Sequence, residues 1–453
     1  MDISRRAFQL AGLSAWLGGA AAAQPGSAPD EARIGAILRE RVDEQKKAVG
    51  LVVGRLTPAG VSFDAYGARG RHSNGRTVFR IASLTKLFTA LLLADMATRG
   101  EVGLDEPVSD HLPPELRLPT SPGRPITFAD LATHTAGLPF RAPDQAVGPG
   151  APPYRLEQLQ RFLAGLTLEE PPGQKWLYSN VGYALLGQAL SQRAGARYTV
   201  LLRERIAFPL GLQATAVVPA RTMRSRLATG HDEDLRPLPP SRFEVMAPSG
   251  GLWSCAADLV RFLSAFTDPA SPLSRAAALM LAATRPAPGL RAQQALGWEV
   301  HGQGEAGYLS KDGLADDGFT AAIVCDPPAG RGVVVLSNTA IGVSDIARHL
   351  LRPDYPLAKA YRITTLPAEA LGRYVGRYQA PTGAVFVVST SDVGLLLQIP
   401  GAPLMPIAPT GADAFVQPQV GVEVDFRIGP DGRPAGFVLR SAGRPPLEAR
   451  RIE

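Results

Sequence analysis

Cysteine is almost absent from the chain: Cys255 and Cys325 are the only two in 453 residues. That excludes a disulfide-stapled framework, although one bridge is compatible with an oxidising compartment. Cys325 ends the apolar run Ala321–Cys325 and reads as a small buried hydrophobe. Past the first two dozen residues no stretch of 18 uninterrupted apolar residues occurs, so no integral membrane segment is expected in the mature chain. Blocks of like charge are missing as well. The formal net charge of +6 is spread along the sequence, which excludes a basic arm and any nucleic-acid partner. No H-E-x-x-H pattern or Cys/His ligand spacing is present, so neither a metal nor a cofactor is expected. A G-x-S-x-G elbow is also lacking, and the six histidines read as structural or surface residues.

Lysine is scarce in a different way. Six lysines, at 46, 47, 86, 175, 311 and 359, stand among 47 basic residues. A sequence that uses arginine for generic charge keeps lysine where a compact, deprotonatable amine is needed. Lys86 and Lys311 both fall within short motifs.

At the N-terminus, Ser4-Arg5-Arg6-Ala7-Phe8 is followed by the apolar stretch Leu10–Ala22 and the small residues Ala21-Ala22-Ala23. This predicts a twin-arginine signal over residues 1–23 and a periplasmic or secreted protein. A helix is expected over 30–47, then strands Gly50–Leu56 and Gly60–Tyr66, and a mainly helical middle from Ser83 to about Phe266. Strands return at Phe319–Cys325 and Gly332–Leu336, and a helix follows over Val343–Leu351. Strands from both ends with helices between them predict an α+β fold, one antiparallel sheet flanked by helices, over residues 24–351. Residues 352–365 read as a linker. From 366 to 453, short strand runs at Tyr374–Tyr378, Val385–Ser389, Leu395–Ile399, Val422–Ile428 and Phe437–Arg440 predict a small all-β domain, a barrel or a sandwich.

Three short motifs carry the chemistry. Ser83-Leu84-Thr85-Lys86 opens a helical run, so Lys86 lies one turn below Ser83 on the same face. The helix start favours developing negative charge, and a desolvated amine can activate a serine hydroxyl. Tyr178-Ser179-Asn180 precedes an apolar helix; in an extended loop its first and third residues face one cavity. Lys311-Asp312-Gly313 continues a strand, with Lys311 and Gly313 on one face and no side chain at Gly313 to block a ligand. Taken singly, each is a common pattern with a structural explanation: a serine cap, a packed tyrosine, an exposed turn.

Their order and context change the reading. Phe79–Leu87, Leu131-Ala132-Thr133-His134-Thr135-Ala136-Gly137-Leu138-Pro139, Pro172–Tyr183, Gly250-Gly251-Leu252-Trp253-Ser254-Cys255 and Lys311–Gly313 resemble, in sequence order, the motifs of the serine penicillin-recognising hydrolases. Within that family the chain is most similar to class C β-lactamases and to D-alanyl-D-alanine carboxypeptidase/endopeptidases of the AmpH type, over residues 32 to 350. The C-terminal part, with Tyr374-Val375-Gly376-Arg377-Tyr378, resembles the small β-barrel appended to many such hydrolases.

The resemblance implies a β-lactamase/transpeptidase-like fold and catalytic roles for Ser83, Lys86, Tyr178, Asn180 and Lys311. Ser83 would be the nucleophile, Lys86 and Tyr178 the base, and Lys311 a source of positive potential. Asn180 would hold the substrate amide or Lys86. The backbone N–H groups of Ser83 and Leu314 would form an oxyanion hole, with Asp312 and Gly313 against the substrate. The implied partner is a small-molecule or peptide substrate: a peptidoglycan-type peptide, a β-lactam or an ester. A β-lactamase and a non-catalytic penicillin-binding regulator are the competing functions. One departure stands out, because Asp312 occupies the position where the family has threonine. An anion there would repel a substrate carboxylate and partly neutralise Lys311.

Overall fold

A computed structural model describes residues 31–67, 74–119, 123–168, 170–287, 292–302, 307–358, 361, 363–391, 394–400, 404–417, 421–441 and 445–453. The expected signal sequence, residues 1–23, lies outside them. Helix Glu31–Arg39 buries Ile34, Ile37 and Leu38 and passes into a wider helical turn, Glu40–Glu44, so it stops short of the expected Lys47.

Ten strands follow in this part of the chain: β1 (Gly50–Thr57), β2 (Gly60–Gly67), β3 (Val78–Arg80), β4 (Trp253–Cys255), β5 (Arg285–Ala287), β6 (Ala292–Gln294), β7 (Glu299–His301), β8 (Tyr308–Ala315), β9 (Phe319–Asp326) and β10 (Arg331–Ser337). Eight of them form one antiparallel sheet in the order β2-β1-β10-β9-β8-β7-β6-β5, while β3 and β4 make a separate pair. β1 and β10 pair although far apart in sequence, with Val52 opposite Leu336. Strands from both ends of this part of the chain thus meet in one sheet, as expected.

Alternation along these strands builds two cores. Leu51, Val53, Val324 and Val335 face helices Glu31–Arg39 and Ser344–Leu351. Val52, Ile323, Val334 and Leu336 face the larger, helical side, which contains the helix Thr85–Thr98. With helices on both faces, every residue of β9 is buried, which explains its unbroken apolar run. Helix Thr85–Thr98 is enclosed from Thr85 to Met96, so it sits inside the molecule and carries Lys86 there.

The C-terminal part is a closed eight-stranded antiparallel barrel between Gly376 and Arg451, a barrel rather than a sandwich. Its first and last strands pair through Tyr378 and Arg451. Aromatic side chains including Tyr378, Phe415, Phe426 and Phe437 fill it. Three of its strands, Met405–Pro409, Ala414–Gln417 and Leu447–Arg451, escape the sequence reading. The first carries two prolines, and the other two are four or five residues long, too short to show a period. Among the described residues no helix is long and apolar enough to cross a membrane. Cys255 and Cys325 are both buried free thiols.

Candidate active site

Ser83 lies on a single 3-10 turn, Ala82–Leu84, between β3 and the helix Thr85–Thr98. Ala82 holds a left-handed backbone, φ +46°, which a non-glycine residue adopts at a cost of about 1–3 kcal/mol. That turn swings Ser83 to the floor of a cleft of about 530 Å³ lined also by Tyr178, Asn180, Asp312, Gly313 and Leu314.

Lys86 is completely buried. Its Nζ lies 3.3 Å from Ser83 Oγ, 2.7 Å from Asn180 Oδ1 and 2.6 Å from the Ser249 carbonyl oxygen. Burial pushes its ammonium down to about 8, Lys311 adds to the push, and Tyr178 opposes it. The Pro248–Cys255 segment secures this arrangement. Leu252 N–H donates to Thr85 Oγ1 at 3.1 Å, Ile81 N–H donates to Leu252 O at 3.0 Å, and Thr89 Oγ1 donates to Pro248 O at 2.7 Å.

Tyr178 and Asn180 share a corner shaped by the segment around His134. Leu177 N–H donates to His134 O at 2.7 Å, Ser179 N–H to His134 Nδ1 at 3.0 Å, and Asn180 N–H to Phe140 O at 2.9 Å. Ser179 caps the helix Asn180–Ala194 by accepting from Gly182 N–H at 2.8 Å. The corner therefore aims the Tyr178 ring between two amines: Lys86 Nζ lies 4.9 Å and Lys311 Nζ 4.7 Å from its centroid. Burial alone would raise the phenol. The charges of Lys311 and Lys86, with hydrogen bonds to Ser83 and Lys86, outweigh burial and bring it below its ordinary value.

β8 supplies the facing wall. Gly313 packs so closely that a Cβ there would stand 2.6 Å from Ile81 O and 3.1 Å from Ser83 N; only glycine fits. Lys311, on the same face, is buried beside Glu299, whose Oε1 lies 3.5 Å from Nζ. Burial alone would depress Lys311, yet Tyr178, Glu299 and Asp312 together raise it above its ordinary value. Burial opposes the Glu299 charge too, but Lys311 and His301 hold that carboxyl down at about 2. Lys311 is thus a fixed cation, whereas Lys86 can lose its proton.

Asp312 points to the opposite face of β8. Its Oδ2 accepts from Arg348 Nη2 at 2.8 Å, so it is ion-paired rather than a bare anion beside Lys311. The structure brings together Ser83, Lys86, Tyr178, Asn180, Lys311 and Gly313, and lines the same cleft with Asp312 and Leu314. Sequence reasoning missed Glu299, Arg348 and the Ser249 carbonyl. It also gave His134 no role beyond structure. The ring centroid of His134 lies 4.2 Å from that of Tyr178, and burial, with the charges of Lys311 and Lys86, holds its imidazole well below the usual range.

The chain is 30% identical over 319 residues to the D-alanyl-D-alanine-carboxypeptidase/endopeptidase AmpH of Escherichia coli (strain K12), covering 64% of this chain and 81% of that protein. It is 25% identical over 401 residues to penicillin-binding protein 4* of Bacillus subtilis (strain 168), covering 81% of this chain and 86% of the relative. Among solved structures, a beta-lactamase/D-alanine carboxypeptidase from Yersinia pestis, complexed with citrate, superposes with a TM-score of 0.58 at 27% identity, covering 68% of this chain and 92% of that one. The sequence profile described as Beta-lactamase matches residues 35–354, so the chain belongs to the beta-lactamase family of serine hydrolases.

Proposed function

We propose that the protein is an exported hydrolase that acylates itself at Ser83 and acts on D-amino-acid peptides of the peptidoglycan type, or on related amides and esters. The observation that carries this reading is the environment of Lys86. A neutral amine has two N–H groups and one lone pair. Asn180 Oδ1 and Ser249 O, at 2.7 and 2.6 Å, take the two N–H groups, which leaves the lone pair facing the Ser83 and Tyr178 hydroxyls.

In this mechanism the Ser83 proton passes to Lys86 or to the Tyr178 phenolate as Oγ attacks the carbonyl carbon. The oxyanion is received by the N–H groups of Ser83 and Leu314. Tyr178, close to both amines, returns a proton to the leaving nitrogen or oxygen. Water then attacks the acyl carbon, and Ser83 regains its proton. Lys311 stabilises the Tyr178 anion and attracts a substrate carboxylate. Residues 24–351 carry this chemistry, 352–365 form the linker, and the barrel of 366–453 is an appendage. Export through a twin-arginine signal over residues 1–23 completes the reading.

A β-lactamase shares every step up to the acyl-enzyme, and only the rate of water attack separates the two. A fluorescent penicillin followed over time tests the proposal. A slowly decaying covalent label supports a peptidase-like enzyme, rapid turnover supports a β-lactamase, and absence of any label contradicts acylation at Ser83.

A further inference from the structure

Among the described residues, the most completely enclosed ion pair outside the catalytic cluster joins Arg80 and Asp317. Arg80 Nε donates to Asp317 Oδ2 at 2.9 Å, with side-chain exposures of 3% and 0%. Their places in the chain are symmetric about the reaction site. Arg80 stands three residues before Ser83, and Asp317 three residues after Leu314. These are the two residues whose N–H groups receive the oxyanion in the mechanism above, and the inference rests on that reading.

Strand pairing does not fix the distance between those donors. β3, which ends on Arg80, pairs with β4, while β8, which carries Leu314, pairs with β7 and β9. No ladder therefore joins the strand leading into Ser83 to the strand bearing Leu314. The turn bearing Ser83 packs directly on β8, most closely at Gly313, and Phe79 packs edge-to-face on Phe319 of the neighbouring β9 with centroids 6.4 Å apart. Apolar packing resists collapse but sets direction weakly. A planar guanidinium held at three acceptors, one of them Asp317 Oδ2, sets direction more strongly.

Arg80 is fixed from several sides. Nη1 donates to Gly251 O at 3.2 Å and Nη2 to Ser241 O at 2.6 Å, and its Cζ lies 4.3 Å from the Trp253 ring centroid and 4.9 Å from that of Phe243. Asp317 Oδ2 accepts a second bond, from Ser241 N–H at 2.9 Å. Neither partner can shift without breaking bonds to a third segment. A buried ion pair adds little net stability over an apolar pair of similar size; what it adds is orientation.

We propose that Arg80 and Asp317 are positioning residues for the oxyanion hole: their ion pair sets the separation between the N–H groups of Ser83 and Leu314. Neither touches the substrate. Both act through backbone they hold in place.

Asp317→Asn and Arg80→Lys test this in the full chain. The first keeps shape and an acceptor for Ser241 N–H; the second keeps the charge but loses the fork. Each is assayed with a neutral aryl ester and with a phenylboronic acid, which forms a tetrahedral adduct on the nucleophile. Removing one oxyanion donor costs about 100- to 1000-fold in kcat, so displacing one is expected to cost about 10- to 100-fold. The expected result is that fall in kcat with KM within threefold of wild type, and a matching fall in boronate affinity. A merely structural role would lower the melting temperature without linking kcat to boronate affinity. Wild-type kcat in either folded variant, or a kcat loss with unchanged boronate affinity, overturns the clamp. If wild type itself forms no boronate adduct and turns over no ester, the acylation reading fails along with it, so the two failures are distinguishable. Should Asp317→Asn not fold, Arg80→Lys alone decides.

Discussion

Arg348 Nη2 lies 2.8 Å from Asp312 Oδ2, so the aspartate that stands in the family's threonine position is met by a cation across β8. The repulsion expected of Asp312 is therefore largely cancelled in the resting protein, and the same pairing occupies Arg348. Replacing Asp312 releases that arginine and removes the carboxylate together.

Asp312→Thr is accordingly expected to raise kcat/KM for penicillins and D-Ala-D-Ala peptides by roughly tenfold, about 1.4 kcal/mol. Neutral aryl esters should change less than twofold, because they carry no charge for either group to meet. Stability should drop by only about 1 kcal/mol as Arg348 loses its partly exposed partner. Parallel kinetics on both substrate classes and a urea titration check this. Equal changes in both classes would show that charge at 312 does not select the substrate.

The pH dependence of acylation follows from Lys86. Its folded-state pKa is lowered to about 8, so the neutral amine is the majority form above that pH and is lost as pH falls. Acylation rates measured by stopped flow should rise about tenfold per unit below about pH 8 and level off above it. Lys311, raised above its ordinary value, stays charged across this window and contributes no step. A flat profile between pH 6 and 9 would rule out the neutral amine as the base.

Glu299→Gln should be costly although Glu299 does not line the cleft. It strips Lys311, 1% exposed, of its carboxylate counter-charge, and the uncompensated buried cation is expected to destabilise the fold by about 3 kcal/mol. Chemical denaturation measures this. A change under 0.5 kcal/mol would mean that Tyr178 and Asp312 suffice to balance Lys311.

Export gives a prediction independent of the site. Changing both Arg5 and Arg6 to Lys should abolish transport of the folded protein, read by fractionation and immunoblot. Mature-sized protein outside the cytoplasm in that variant contradicts twin-arginine routing.

Much of the site was legible because its parts are local patterns. Ser83 and Lys86 are one helical turn apart, Tyr178 and Asn180 flank a cap, and Lys311 and Gly313 alternate on one strand. The sheet was legible because β9 and β10 are runs of buried β-branched and small residues. What could not be read depends on long-range partners. Glu299 sits in the three-residue β7, with no periodicity, and meets Lys311 only through strand pairing. Arg348 looks like any polar residue on an amphipathic helix until the fold lays it against Asp312, 36 positions away. Ser249 contributes a backbone oxygen, which no side-chain pattern can announce.

The central claim is that Ser83 carries the acyl group, and intact-protein mass spectrometry tests it most directly. Wild type incubated with a β-lactam or an active ester should gain the mass of one acyl group, mapped by peptide digestion to Ser83. Ser83→Ala, which leaves Lys86 bonded to Asn180 and Ser249, should remain folded and gain nothing. An adduct of the same mass on Ser83→Ala would contradict the account.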